Sequence, residues 1–142
     1  MSSETPKFLI VDDDAVALAV IKAVIQSLGC ECECRTSAKQ VLDLVNDPTI
    51  AKQFDAIFID VMMPEMTGLE LSEELKKIPQ TENIPRVMIS ALGKYNDIIK
   101  GYESGADYYM TKPIDKDQII YALDLIFQES EDTSNSFDLP EA

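Results

Sequence analysis

Histidine is absent from this 142-residue chain, and so is tryptophan. Without imidazole the chain has no serine-triad base, no histidine metal ligand and no phosphohistidine carrier of its own. Any chemistry falls to carboxylates, hydroxyls and lysine. Positive charge is also scarce: 12 Lys and Arg stand against 26 Asp and Glu, a formal net charge of -14 with a pI near 4.2. Such a field repels phosphate backbones and anionic lipid, which argues against direct nucleic-acid or membrane binding and leaves proteins or cations as partners. Long apolar runs are missing too. The longest, Ala15 to Ile21, stops at Lys22, and no N-terminal segment has the charged start and apolar centre of a secretion signal. The chain reads as cytoplasmic.

Cysteine is limited to Cys30, Cys32 and Cys34, alternating with Glu31 and Glu33. In a strand the three thiols share one face at about 7 Å between neighbours. That spacing is awkward for one ion, and with no second cluster they read as small core hydrophobes rather than a zinc site.

The remaining pattern is five short apolar runs alternating with five longer segments of helical period, as in a parallel sheet covered on both faces. Strands are expected near Lys7 to Val11, Cys30 to Arg35, Ala56 to Ile59, Arg86 to Ile89 and Tyr108 to Met110. Asp14 can cap a first helix reaching Leu28, with Gly29 ending it in a left-handed turn. Ser37 starts a second helix, to about Asn46. Thr67 starts a third, with Glu70 at capping-box spacing. Asn96 or Asp97 begins a fourth, closed by Gly105, and Asp115 a fifth. Asp47 to Gln53 and Ile78 to Pro85 read as loops. After Gln128 five acids (Glu129, Glu131, Asp132, Asp138 and Glu141) and no base predict a disordered tail. The organisation is therefore an extension over 1–6, one domain over 7–128 and a tail over 129–142.

In open parallel α/β sheets, ligands sit beyond the carboxyl ends of the strands. The first strand ends in Asp12, Asp13 and Asp14, the third in Asp60, the fourth at Ser90, and the fifth is followed by Thr111, Lys112 and Pro113. The second has no reactive terminus, which suits an edge strand in the flavodoxin-like order 2-1-3-4-5. Crowded carboxylates repel one another unless a cation intervenes. Oxygen-only ligands favour Mg²⁺, which commonly shares its shell with a phosphoryl group. Asp60 is then a carboxylate nucleophile toward phosphorus, with Lys112 and the Ser90 hydroxyl stabilising the transferred oxygens.

Four blocks carry a resemblance: Phe8 to Asp14 (FLIVDDD), Asp60 to Gly68 (DVMMPEMTG), Ile89 to Ala91 (ISA) and Gly105 to Pro113 (GADYYMTKP). In this order and spacing, from about Lys7 to Phe127, the chain resembles the receiver domains of two-component response regulators. The resemblance implies that Asp60 is the phosphoacceptor. It also implies that Asp12 and Asp13 hold Mg²⁺ with help from the Met62 backbone carbonyl, that Lys112 pairs with the phosphoryl group and that Ser90 moves toward it. Tyr109 occupies the aromatic switch position, and the Lys112-Pro113 peptide is expected to be cis. The donor would be a histidine kinase or histidine phosphotransfer protein. The output would be a changed surface on the fourth helix, fifth strand and fifth helix, read by a downstream effector protein, with the chain acting as a stand-alone regulator and not as an enzyme.

Each position has a plainer reading. Asp14 is a helix cap, Gly68 and Gly105 answer backbone needs, and the methionines fill gaps. The first helix is apolar almost all round, so a neighbour covers it or it is a docking patch, which the resemblance assigns to the kinase. Met62 and Leu92, two after the acceptor and two after the hydroxyl, are apolar and cannot position a water, so a long-lived phosphoaspartate is expected. Two rival functions remain. One is a phosphorylation-independent adaptor. The other is an aspartate-nucleophile phosphohydrolase, for which Asp12 and Asp14 have the spacing but Val16 stands where a small or hydroxyl residue is usual.

Overall fold

The computed structural model describes residues 5–91 and 95–128. The expected tail over 129–142 and the position of Leu92 lie outside the described residues. Five strands, β1 (Lys7–Val11), β2 (Glu31–Arg35), β3 (Ala56–Asp60), β4 (Arg86–Ser90) and β5 (Tyr108–Thr111), pair in parallel in the order β2-β1-β3-β4-β5. Six helices intervene: α1 (Ala15–Ser27), α2 (Ala38–Val45), α3 (Pro48–Ala51), α4 (Gly68–Lys77), α5 (Tyr95–Glu103) and α6 (Lys116–Gln128). The fourth and fifth helices expected from the sequence are α5 and α6, because α3 is an addition.

Side chains alternate across the sheet, as strand geometry requires. Phe8, Ile10, Phe58, Val87, Ile89 and Met110 face α1 and α6, where they meet Ile21, Ile25, Ile119 and Leu123. Leu9, Val11, Ile57, Ile59, Met88 and Tyr109 face the other way, onto Val41, Val45, Leu71 and Leu75. Every residue of β3 and β4 is buried. Each fully buried Ile, Leu or Phe contributes roughly 1.5–3 kcal/mol, and this two-sided burial is what holds the strand ends in place.

The helix starts follow the caps. Asp14 accepts a hydrogen bond from the Val16 N–H (3.0 Å) and Ser37 from that of Gln40 (3.2 Å). Thr67 and Glu70 form the full capping box, 3.2 and 2.9 Å. Asp115 and Gln118 form a reciprocal pair of the same kind at 3.0 and 2.9 Å. Gly29 has φ 82°, so the left-handed turn after α1 is present.

Two expectations need correction. The segment from Asp47 to Gln53 is not wholly loop: Asp47 accepts from the Thr49 N–H (2.9 Å), Pro48 occupies the first turn and Ala51 is fully buried. One turn is too short to show helical periodicity, but the Asp-Pro start is a helix signal in itself. Of the three cysteines only Cys30 is core, and it precedes β2 rather than opening it; Cys32 and Cys34 are half-buried. They do face the α1/α6 side, but β2 is an edge strand and its face is only partly covered.

At the end of the sheet where the strands begin, Arg86 is buried with its guanidinium donating to the backbone oxygens of Thr81 (3.2 Å) and Gly105 (3.4 Å), while its Nε has no partner. Burial pulls this group below its ordinary pKa, opposed by Asp107. It ties the loop before β4 to the turn before β5.

Replacing Thr67 by Ala removes one side of the α4 capping box. We expect a loss of about 1 kcal/mol, read as a lower urea midpoint at unchanged m.

Candidate phosphoacceptor and metal site

Strand register assembles the site. Val11 pairs with Ile59, so the next residues, Asp12 and Asp60, leave adjacent strands side by side. Asp60 pairs with Ile89, and Ser90 with Thr111. The Lys112 N–H then donates to the Ser90 carbonyl at 2.8 Å, which sets the lysine against the end of β4. Asp12, Asp60 and Ser90 are buried, with exposures of 0%, 2% and 0%, and Asp13 is exposed at the mouth.

Lys112 Nζ lies 3.1 Å from Asp12 Oδ2 and 3.3 Å from Asp60 Oδ1. The Asp12 contact is an ion pair without hydrogen-bond alignment, since Oδ2 has no hydrogen-bond partner although it is buried. The other oxygen, Oδ1, accepts from the Asp14 N–H at 2.9 Å. Carboxylate oxygens of Asp12, Asp13 and Asp60 lie within 4.8 Å of one another. One ammonium cannot neutralise three such groups. Burial first, and then Asp12, push Asp60 from 3.8 up to about 7, against the pull of Lys112. Burial lowers Lys112, but Asp12 and Asp60 outweigh it and leave the ammonium above its ordinary value.

The donor set fits a hard divalent cation: oxygen ligands only, an excess of negative charge and one buried carboxylate oxygen lacking a hydrogen-bond partner. Met62, two residues beyond Asp60, has its side chain 56% exposed. Tyr109 is buried against the opposite face of β5 from Tyr108, and the Lys112-Pro113 peptide is cis, as expected.

Gly68 answers a backbone need, and the structure gives the reason. A Cβ there would overlap the Asp60 carbonyl oxygen and sit 2.8 Å from the Val61 Cα. The Gly68 N–H donates to the Val61 oxygen at 2.9 Å, so the start of α4 is clamped to the residues that carry the acceptor. Between them Glu65 holds a left-handed φ of 69°. No one-residue sequence signal marks the clamp; the Asp60-to-Gly68 interval is the only trace.

The response regulator receiver domain family model matches residues 8–124. The chain belongs to this family. Among curated relatives of this receiver, the DNA-binding dual master transcriptional regulator RpaA of Synechocystis is 32% identical over 81% of the chain and 46% of that protein. The hybrid signal transduction histidine kinase L of Dictyostelium discoideum is 30% identical over 80% of the chain and 7% of that protein. The receiver thus spans about half, or far less, of the length of these relatives. Among solved structures, the Francisella response regulator 1452 receiver domain is 32% identical with a TM-score of 0.76, covering 89% of this chain and 100% of that one. Vibrio cholerae CheY4 is 25% identical with a TM-score of 0.76, covering 84% and 97%. Receivers of this family are phosphoacceptor switches, generally not enzymes, and typically bind Mg²⁺ at an acidic pocket.

The raised Asp60 pKa fixes a sign. A folded-state pKa above the unfolded one contributes stability at low pH that is lost as pH rises from about 4 to about 7. In chelator, Asp60→Asn should therefore gain on wild type across that window and hold its advantage above it, and excess Mg²⁺ should shrink the gap. Denaturant midpoints at several pH values measure this. A gap that does not depend on pH would contradict the assignment.

Proposed function

We propose that this chain is a response regulator in which Asp60 accepts a phosphoryl group from a histidine kinase or histidine phosphotransfer protein, and that the output is binding of a downstream effector protein. The observation that carries the reading is the pairing of Asp60 with Asp12 under a single shared ammonium, Lys112. The buried Asp12 oxygen without a hydrogen-bond partner adds to it. The receiver unit is 7–128. We read it as cytoplasmic, and its net charge of -14 disfavours direct binding to DNA or anionic lipid. Among the described residues no helix is long and apolar enough to cross a membrane.

An Asp60 oxygen attacks phosphorus, the P–N bond to the donor imidazole breaks with its electron pair left on nitrogen, and that nitrogen takes up a proton as the acyl phosphate forms. Asp12, Asp13, Asp60 and the Met62 backbone carbonyl would hold Mg²⁺, which would supply positive charge to the transferred oxygens. Lys112 exchanges its carboxylate contacts for a phosphoryl oxygen. The phosphoryl group adds about -1.5 to -2 charge and three acceptors, toward which the Ser90 hydroxyl turns, and Tyr109 follows into the space released. Beside the acceptor, Val16, Ala17, Val20, Ile21, Pro113 and Ile114 line an apolar groove of about 370 Å³. Val16 and Val20 are 71% and 42% exposed, so no helix among the described residues covers this side of α1, and we assign this groove to the phosphodonor.

Intact mass after incubation with Mg²⁺ and a small acyl phosphate should show one phosphoryl adduct, absent in chelator and in Asp60→Asn. No adduct in the wild type with Mg²⁺ present would sink the reading. Placing Asn at Met62 and Glu at Leu92 should shorten the adduct's lifetime, since both positions are apolar in the wild type. Equal or faster decay in the wild type would overturn that expectation.

A further inference from the structure

β5 is an edge strand, paired only with β4, and α5 and α6 flank it. Three tyrosines gather there. The Tyr108 ring meets Tyr121 of α6 edge-on, with centroids 5.8 Å apart and planes at 67°. Tyr102, near the end of α5, is 43% exposed and Tyr121 is 56% exposed. Burial, and then the phenols of Tyr121 and Tyr102, raise the pKa of Tyr108.

Tyr108 packs against the core, whereas Tyr102 and Tyr121 are exposed. Ile119, Ala122, Leu123 and Ile126 provide the buried side of α6, and Tyr121 stands off it. On α6, Asp117, Tyr121 and Asp124 follow at helical spacing, four and then three residues apart, and so share a stripe. Glu103 and Asp107 are exposed nearby in sequence, against Lys100 and Lys116. Aromatic rings bordered by carboxylates suit a planar cation better than a compact ammonium, because a guanidinium stacks on a ring face while its fork meets an acid. A second copy of this chain would bring the same acids, and the same -14, against themselves.

We propose that the α5–β5–α6 face receives an arginine-bearing segment of a partner protein, with guanidinium groups over Tyr102 and Tyr121 and counter-charge from Asp117 and Asp124. This rests on the switch reading above and names the partner's chemistry.

The test uses a labelled synthetic amphipathic peptide of alanine and arginine, and its lysine counterpart, titrated by anisotropy at physiological salt. The proteins are the full chain, a Tyr102→Phe/Tyr121→Phe variant and a Tyr102→Ser/Tyr121→Ser variant. The arginine peptide should bind wild type and the Phe variant about five- to thirtyfold more tightly than the Ser variant, and more tightly than the lysine peptide binds. Equal binding by the Ser variant would overturn the proposal, as would self-association of wild type that the Ser substitutions abolish. Phosphoryl acceptance, measured on all three, shows that each is folded. Its absence throughout would count against the switch chemistry and not against this face.

Discussion

Two carboxylates leave adjacent parallel strands at the same level, and nearly every feature of this end of the molecule answers to that crowding. The β1–β3 register makes Asp12 and Asp60 neighbours, and hydrophobic burial on both sheet faces leaves them no room to separate. Lys112 reaches both, but one ammonium between two buried acids, with Asp13 beside them, leaves net negative charge in a poorly solvated place. Burial, and then Asp12, raise the Asp60 pKa, while Asp12 Oδ2 meets the same ammonium without hydrogen-bond alignment. A divalent cation would relieve that crowding, beside the Lys112 ammonium and the end of β4 that carries Ser90.

The crowding is maintained by backbone features rather than by more side-chain chemistry. Gly68 lets the first turn of α4 press against the Asp60 carbonyl, and the Thr67–Glu70 box fixes where that helix starts. The Lys112 N–H bond to the Ser90 carbonyl joins the hydroxyl and the ammonium through the β4–β5 ladder. Ser90 pairs with Thr111, two residues after Tyr109, whose ring packs on the other side of the strand from the Tyr108–Tyr121 pair.

Most of this is legible in the sequence, because the informative residues sit at strand ends. A parallel sheet brings strand ends together whatever the loops do, so Asp12, Asp60, Ser90 and Lys112 could be grouped from their positions alone. Caps were legible for the same local reason: Asp14, Ser37, Thr67 and Asp115 act within four residues of themselves. The rest needed the third dimension. The α3 turn is too short for periodicity. The half-exposure of Cys32 and Cys34 depends on β2 lying at an edge with one face thinly covered. The clamp at Gly68 joins residues eight apart through a loop, and the burial of Arg86 depends on carbonyls from two distant turns, Thr81 and Gly105.

The central claim is that the crowded acids are a cation site, and Mg²⁺ binding at equilibrium tests it most directly. Calorimetric titration of the chain should give one saturable Mg²⁺ per molecule, with affinity much reduced in Asp12→Asn while circular dichroism shows the fold unchanged. Unaltered Mg²⁺ affinity in Asp12→Asn, or no saturable binding to the wild type, would contradict the account.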